Sequence, residues 1–261
     1  MQAVILAAGD GTRMADMTGG GPKCLLDVQG KPFLYHQIGW LVESGATDII
    51  VWANERDKDA MFDAMRPHKD VFPAQVLTEK ERSGTGGAVM ALQEARGRYG
   101  ASRLWYEYVL VMGDVMLDEP IPQWRLAPQH VAGMLVTKNA GPEDKRNVAV
   151  AGPRVADQSI SPVVPLPPEP LSVVAYDRSG GRDYVDCGVW WMRSPLDWTG
   201  IAIDGEQPPW DLEDGFWPCS TGAACRPVGA VVTDAYQWHT GNPAGYERMC
   251  KEWRPRHDSG Q

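Results

Sequence analysis

Short apolar runs alternate with segments of helical periodicity along the first half of the chain. Unbroken apolar runs, which predict buried strands, lie at residues 3–7, 48–53 and 108–114. Apolar residues spaced by three and four, which predict helices, occupy residues 33–45, 57–65 and 86–97. Parallel strands joined by helices form a sheet that carries helices on both faces. The order therefore predicts an α/β fold, a Rossmann-like three-layer sandwich with a mostly parallel central sheet.

The second half of the chain has a less regular pattern. Additional strands are predicted at residues 131–138, 171–177 and 184–192, and they pack on the first sheet or extend it. The proline-rich residues 161–171 predict a surface loop, because proline lacks the N–H that a helix or central strand needs. The polar residues 254–261 predict a frayed tail. No internal repeat or linker divides the chain, so residues 1–261 are predicted to form one domain.

Two of the predicted strands end in residues suited to holding a ligand. The first leads into LAAGDGTRM, where Gly9 and Gly11 let the backbone turn sharply and Arg13 adds a charged fork suited to phosphate. Successive backbone N–H groups in such a turn form a concave anion site. The strand at 108–114 ends on Asp114. Because ligands of such sheets lie beyond the carboxyl ends of the strands, both segments are expected to face one crevice.

Composition and charge exclude several classes of function. The formal net charge is −9, so broad contact with nucleic acid or an anionic membrane is not expected, and an anion site must use local positive groups. The sequence has no apolar run of about eighteen residues, the length of a membrane span, and its first residues lead into a strand rather than a signal peptide. A cytoplasmic protein is therefore expected. The spacing of the two closest cysteines, Cys219 and Cys225, does not favour a zinc site or a disulfide, so reduced thiols are expected.

The glycine-rich stretch fits neither common phosphate-binding pattern, but it matches a longer one. The chain has no Walker A loop, and Met14 stands where a dinucleotide fingerprint needs its third glycine. The segments GDGTRM (9–14) and GGGPKCLLDVQGKPFL (19–34) resemble the signature of the nucleotidyltransferases that activate sugar 1-phosphates. Further segments that resemble motifs of that family are SGTGGA (83–88), VMGD (111–114), YVDCGVWWM (184–192) and WHTGNPAGY (238–246). The resemblance is to the short bacterial enzymes that act on mannose, heptose or similar sugar 1-phosphates.

The resemblance implies both a reaction and a division of the chain. An oxygen of a sugar phosphate attacks the α-phosphorus of a nucleoside triphosphate, and pyrophosphate leaves. The implied fold is the nucleotide-diphospho-sugar transferase type of the α/β sandwich. Residues 1–115 would form the nucleotide-binding half, residues 116–253 the sugar-phosphate-binding half, and residues 254–261 the tail.

The resemblance also implies which residues hold the nucleotide. Arg13 and Lys23 are implied to be catalytic, with Arg13 neutralising the departing pyrophosphate and Lys23 reaching the α-phosphate and the attacking group. Either residue alone is more typical of solvated surface charge, but their joint spacing behind a glycine-rich strand exit favours the catalytic role. The residues implied to contact the nucleotide are Leu6, Ala7, Ala8, Gly9, Gly11, Thr12, Glu79, Gly84, Thr85 and Gly86.

The remaining implied residues bind the sugar phosphate and a metal ion. The sugar-phosphate contacts are Gly113, Asn147, Arg178, Asp186 and Gly188. Asp186 is also typical of a strand cap, and Asp114 of a helix N-cap. A triphosphate site requires an oxygen ligand for Mg²⁺, which favours Asp114 as that ligand. His239 stands where the family has a second metal-binding aspartate, and since Mn²⁺ and Co²⁺ accept imidazole more readily than Mg²⁺, these ions are the alternatives.

Two other functions are left open by the sequence. A cytidylyltransferase for a phosphorylated alcohol such as phosphocholine shares the GxGTR and PK elements. A degenerate family member that binds a nucleotide as a sensor or partner subunit would explain His239 and also Met112, which replaces the family's asparagine. The joint presence of Arg13, Lys23 and Asp114 favours the enzyme, with a nucleoside triphosphate and a sugar 1-phosphate as its partners. A homo-oligomer is left open.

Overall fold

The computed structural model describes residues 1–80, 84–95, 104–151, 171–194, 211–213, 216–217 and 227–255. Several features named from the sequence lie outside these residues. They are Ser83 of the SGTGGA segment, the last residues of the helix predicted at 86–97, proline-rich residues 161–170, the cysteines Cys219 and Cys225, and tail residues 256–261.

Strands and helices alternate through the described part of the chain. The strands are β1 (Gln2–Leu6), β2 (Asp27–Val28), β3 (Lys31–Pro32), β4 (Asp48–Asn54), β5 (Ala74–Glu79), β6 (Glu107–Met112), β7 (Val115–Leu117), β8 (Ala132–Thr137), β9 (Val148–Ala151), β10 (Leu171–Tyr176), β11 (Val185–Arg193), β12 (Val228–Thr233) and β13 (Gln237–His239). The helices are α1 (Ala15–Thr18), α2 (Phe33–Glu43), α3 (Lys58–Met65), α4 (Gly84–Ala95) and α5 (Pro243–Glu252).

One large sheet carries the fold. Its strand order is β5-β4-β1-β6-β11-β8-β12-β10-β9. The strands β5, β4, β1 and β6 are parallel, β11 pairs antiparallel with β6 and β8, and β10 pairs antiparallel with β12 and β9. Because β8 and β12 are parallel to each other, only β11 and β10 run against the other strands of the described sheet. This confirms the predicted α/β sandwich with a mostly parallel sheet that strands of the second half extend.

The apolar run of β1 is continuous because both of its faces are buried. Successive side chains of a strand point to opposite faces. Accordingly, Ala3 and Ile5 pack in a core that includes Phe33 of α2, whereas Val4 and Leu6 pack in a second core that includes Val89 of α4. The sheet therefore separates two cores, each covered by helices, and the end of β1 is held rigidly between them.

Gly113 lets β6 pass close to β1 where the two strands end. Its N–H donates a hydrogen bond of 2.8 Å to the carbonyl oxygen of Leu6. A Cβ at this position would lie 2.5 Å from the same oxygen, which is closer than real Cβ contacts allow. The lack of a side chain at Gly113 therefore brings Asp114, the next residue, to the end of β1.

Some elements lacked a clear pattern in the sequence. Strand β5 lies at the edge of the sheet and has mostly half-buried residues, so polar and apolar positions are mixed in it. Helix α5 had a clearer pattern, because Tyr246, Met249 and Cys250 are spaced by three and four and all pack on one core. Its start was also readable, because Asn242 is the N-cap and Pro243 is the first helical residue. None of the described helices has the length and apolar character that crossing a membrane requires.

Candidate active site

Two cavities lie at the carboxyl ends of β1 and β6 and share Met112 and Asp114 in their walls. The smaller cavity has a volume of about 80 Å³ and the larger about 450 Å³. The structure thus brings the ends of the two strands to one cleft, as the sequence predicted, and Asp114 stands at the boundary between its two parts.

Most of the residues expected at the nucleotide lie in the smaller cavity. Its walls include Leu6, Ala8, Gly9, Glu79, Gly84 and Thr85, together with Lys23. Five further predicted residues line neither cavity, namely Ala7, Gly11, Thr12, Gly86 and Gly113. Gly11 acts on the shape of the turn, since it has a φ of 63° and the side chain of Lys23 passes beside it.

Lys23 reaches across the smaller cavity to Asp114. Its Nζ forms an ion pair and hydrogen bond with Oδ2 of Asp114, and both side chains are largely buried. Burial by itself raises the pKa of Asp114, but the charge and hydrogen bond of Lys23, with the charges of His239 and Arg13, outweigh it and leave the pKa below its usual value. Asp114 is therefore a carboxylate that positive groups surround.

The backbone on both sides of Asp114 is held by Gln37, a residue of α2 that the sequence analysis did not identify. The Nε2 of Gln37 donates hydrogen bonds of 2.8 Å to the carbonyl oxygens of Met112 and Val115. The carbonyl of Asp114 itself accepts a hydrogen bond of 2.8 Å from the N–H of Thr240. These bonds fix the turn that presents the carboxylate. The only signal for Gln37 in the sequence was that a polar residue stands on the buried face of a predicted helix.

The expected sugar-phosphate residues lie in the larger cavity. Its walls include Asn147, Arg178, Asp186 and Gly188, and also the predicted residues Arg13 and His239. Asn147 connects two strands there, because its Nδ2 donates to the hydroxyl of Tyr176 at 3.2 Å and its Oδ1 accepts from the N–H of Asp186 at 3.0 Å.

The carboxylate of Asp186 is oriented by its own strand. Its Oδ1 accepts hydrogen bonds from the N–H of Gly188 at 2.8 Å and from Nε1 of Trp190 at 2.9 Å. Burial raises its pKa to about 7, and the charge of Glu213 adds to this, although both hydrogen bonds act in the opposite direction. Asp186 therefore changes protonation near neutral pH and is more than a strand cap, since it also faces the cavity.

His239 lies in a cluster of charged groups. Its Nε2 is 3.2 Å from both Oε1 of Glu143 and Oδ1 of Asp144. Arg248 binds Glu143 in turn, with Nη1 at 2.7 Å from Oε1. Burial lowers the pKa of His239, but its hydrogen bond to Asp144 and the nearby carboxylates outweigh this and raise the pKa above the usual value for histidine. The carboxylates at 143 and 144 had no motif in the sequence that could reveal them.

The residues of this region have the donor atoms that a divalent ion requires. Glu143, Asp144 and His239 each offer one ligand atom, and these atoms lie within 4.8 Å of one another. The carboxylate of Asp114 faces the same cavity. Oxygen ligands suit Mg²⁺, and an added imidazole suits Mn²⁺ or Co²⁺. These donor atoms therefore fit a metal ion. At His239 the ion and a proton would compete for the same imidazole nitrogen.

Comparisons with known proteins concern the family and the fold. A family model described as "Nucleotidyl transferase" matches residues 2–134. A mannose-1-phosphate guanyltransferase from Aspergillus oryzae is 28% identical over 237 residues, which are 83% of this chain and 60% of that protein. An N-acetylmuramate alpha-1-phosphate uridylyltransferase from Neisseria meningitidis is 32% identical over 125 residues, 45% of this chain and 48% of that protein. The chain thus spans about half to three fifths of the length of these two relatives.

Solved structures share the fold over almost the whole chain. HddC from Yersinia pseudotuberculosis, solved with GMP-PN, has a TM-score of 0.64 and 22% identity, covering 97% of this chain and 99% of that one. The inositol-1-phosphate CTP transferase from T. maritima has a TM-score of 0.63 and 18% identity, covering 97% of both chains. At such identities the likeness extends to the fold alone.

Proposed function

Since the chain belongs to the nucleotidyl transferase family, we propose that it transfers a nucleotidyl group from a nucleoside triphosphate to a sugar 1-phosphate. The products are a nucleoside diphosphate sugar and pyrophosphate. One observation carries the proposal: a cavity lined by Lys23 and a cavity lined by Arg13 and Arg178 share the carboxylate of Asp114 in their walls. Two phosphate-bearing substrates, one in each cavity, would meet at that boundary.

The nucleotide is assigned to the smaller cavity and the turn behind β1. Backbone N–H groups of the turn at 8–12 would face the phosphates, as in other glycine-rich anion sites, whereas the N–H of Ala7 donates to the carbonyl oxygen of Trp52 at 2.7 Å. The walls at Glu79, Gly84 and Thr85 would face the base and ribose. A volume of about 80 Å³ is small for a nucleotide, so we expect the base to lie along an open groove rather than inside an enclosed pocket.

The sugar phosphate is assigned to the larger cavity. Arg178 would bind its phosphate, and Asn147 and Asp186 would hydrogen-bond its hydroxyl groups. The bulge of β11 at Gly188 supports this assignment, because its φ of 63° and its approach to Met112 bring the backbone to the boundary between the cavities. The guanyltransferase relatives make GTP with mannose 1-phosphate the first substrate pair to examine.

A divalent ion is proposed at Asp114, with His239 and the neighbouring carboxylates as further ligands. The ion would supply positive charge to the phosphate oxygens as pyrophosphate leaves. Mg²⁺ is the expected ion from the oxygen ligands, and Mn²⁺ or Co²⁺ is favoured by the imidazole. The cytoplasmic location expected from the sequence stays a prediction.

The chain's own residues supply positioning and charge. In the reaction, the sugar phosphate oxygen forms a bond to the α-phosphorus while the bond from that phosphorus to the β-phosphate oxygen breaks. Arg13 would neutralise the departing pyrophosphate, and Lys23 would leave Asp114 to contact the α-phosphate. Holding the two substrates at a fixed boundary removes the entropy cost of bringing them together. No side chain needs to form a covalent intermediate.

The proposal is tested by pyrophosphate release. The purified protein is incubated with GTP, UTP, CTP, dTTP or ATP, each with a panel of sugar 1-phosphates, in the presence of Mg²⁺ or Mn²⁺. We expect at least one pair to release pyrophosphate and form a nucleoside diphosphate sugar that is detected by mass spectrometry. Phosphocholine with CTP is included as the competing pair. Activity with phosphocholine alone, or with no pair, would overturn the proposal.

A further inference from the structure

The N–H and the hydroxyl of Thr85 are both directed at one short segment of the other half of the chain. Its N–H donates a hydrogen bond of 3.0 Å to Oδ1 of Asp211. Its hydroxyl donates a bond of 3.0 Å to Oε2 of Glu213 and accepts one of 2.8 Å from the N–H of Leu212. A residue expected to contact the nucleotide thus also holds residues 211–213.

These bonds connect the two cavities. Thr85 and Asp211 line the smaller cavity, whereas Glu213 lines the larger one, where Arg178 and Asp186 also lie. The hydroxyl of Thr85 therefore reaches from the nucleotide side of the cleft to a carboxylate on the sugar side.

We propose that Thr85 is a positioning residue that orients Glu213 for the sugar 1-phosphate from within the nucleotide cavity. The inference rests on the proposed function, because it assigns the sugar to the cavity that Glu213 lines. It adds a determinant of sugar binding that is located at the start of α4, in the glycine-rich segment expected to recognise the base.

Helix capping explains only one of the three bonds. An acidic side chain at a helix N-terminus accepts free N–H groups and is stabilised there, which accounts for Asp211. The hydroxyl bond to Glu213 satisfies no N–H of α4, so capping does not require it. This bond instead affects the larger cavity, because it fixes one carboxylate oxygen of Glu213.

The hydroxyl of Thr85 is one of two donors that favour the ionised form of Glu213, beside a backbone hydrogen bond at Glu213 itself. Burial raises its pKa, and Asp211 adds to this, while the hydroxyl of Thr85 and the charge of Arg178 act in the opposite direction. A half-buried carboxylate that loses a hydrogen-bond donor either turns toward water or takes up a proton. Either change would alter what Glu213 offers to a sugar hydroxyl in the larger cavity.

The test compares Thr85→Val with Thr85→Ser. Valine keeps the size of the side chain but removes the hydroxyl, and serine keeps the hydroxyl. We expect Thr85→Val to raise the KM for the sugar 1-phosphate about tenfold and to change the KM for the nucleotide less than about twofold. Thr85→Ser should stay near the native values. Thr78→Val is the matched control, because the Thr78 hydroxyl donates to Glu55 and neither residue lines a cavity.

A larger rise in the KM for the nucleotide than for the sugar phosphate, or equal effects of valine and serine, would overturn the inference. A second measurement does not depend on turnover. In a double-mutant cycle of Thr85→Val and Glu213→Met, followed by urea unfolding, the combined change must differ from the sum of the single changes. Additive changes would overturn the inference even if the proposed reaction is confirmed, whereas lack of pyrophosphate release by the native protein concerns the proposed function alone.

Discussion

The two sides of the cleft, the smaller nucleotide cavity and the larger sugar cavity, are lined by different kinds of groups. The nucleotide side consists largely of strand ends and glycine-rich backbone from two stretches, residues 6–23 and 79–88, with Lys23 as its cation. The sugar side gathers residues from β6, β7, β10, β11 and β13 and from the loops between strands. Its carboxylates are Asp114, Glu143, Asp144, Asp186 and Glu213, and its cations include Arg13, Lys145 and Arg178. The difference indicates that backbone geometry governs the nucleotide side and side-chain charge governs the sugar side.

The largest effects are expected at one cation from each side, Lys23 of the smaller cavity and Arg13 of the larger one. Lys23→Ala and Arg13→Ala should each lower turnover at least about a hundredfold, because each removes a charge that the transition state requires. Lys31→Ala is the control, since Lys31 is an exposed lysine in the same signature segment. Initial rates of pyrophosphate release, with circular dichroism to check folding, decide the matter. Near-normal rates in either folded variant would contradict the assignment of these residues.

The next largest effect, on metal dependence, is expected at Asp114, which lies at the boundary between the two cavities. Asp114→Asn should raise the metal concentration needed for half-maximal activity by about tenfold or more, because an anionic ligand becomes neutral. Asp118→Asn is the control, since Asp118 accepts a hydrogen bond from the N–H of Tyr236 and lines neither cavity. Rates are measured over a titration of Mg²⁺ and of Mn²⁺. An unchanged titration would make Asp114 a structural residue.

A smaller effect is expected on the sugar side, at His239. The native protein should be more active with Mn²⁺ or Co²⁺ than with Mg²⁺, and His239→Asp should shift the preference toward Mg²⁺ a few fold, about 1 kcal/mol. His36→Gln serves as the control, because His36 bonds the carbonyl of Val28 outside both cavities. Initial rates with the three ions give the ranking. The same ranking in the native protein and in His239→Asp would show that His239 is not a ligand.

The last effect concerns stability rather than turnover, at Asp186. Its pKa of about 7 means that the folded protein holds a proton which the unfolded chain releases near pH 4. Asp186 therefore costs stability as the pH rises from 4 to 7, and the full cost is present above 7. Asp186→Asn removes this cost. The Tm of the variant minus the Tm of the native protein should therefore increase by a few degrees between pH 5 and pH 8, which corresponds to a change in the free energy of unfolding on the order of 1–2 kcal/mol.

Asp177→Asn is the control for that measurement. Hydrogen bonds from Ser179 lower the pKa of Asp177, so its contribution to stability is present at high pH and lost as the pH falls. Its variant should therefore show no relative gain between pH 5 and pH 8. A Tm difference for Asp186→Asn that does not vary with pH would contradict the buried-carboxylate interpretation.

The strand ends that form the nucleotide side could be predicted from the sequence for a physical reason. Glycine-rich turns after buried strands are local features, so Gly9, Lys23 and the end of β6 could be placed without knowledge of distant contacts. The α/β sandwich followed from the same local patterns. Edge strand β5 and the short strand β13 were missed, because neither has enough buried apolar residues to produce a pattern.

Contacts between distant segments carried no comparable signal. Glu143 and Asp144 reach His239 from a loop about a hundred residues earlier, and no spacing rule connects them. Thr85 had a local motif, but its three bonds to residues 211–213 depend on how the second half of the chain folds back. Gln37 was visible only as a polar residue on a buried helix face, and its role became clear from the two carbonyls that it holds.

The close approach of Gly245 to His239 has a consequence for how this chain can evolve. A Cβ on Gly245 would lie 2.1 Å from Cε1 of the His239 ring, so the start of α5 is shaped around that imidazole. The two positions should therefore be epistatic. Gly245→Ala would be harmful with histidine at 239 and much better tolerated with a smaller residue there. A lineage that first replaces His239 with a smaller residue could then accept a side chain at position 245. A lineage that first acquires a side chain at 245 would disrupt the packing of the start of α5 against His239.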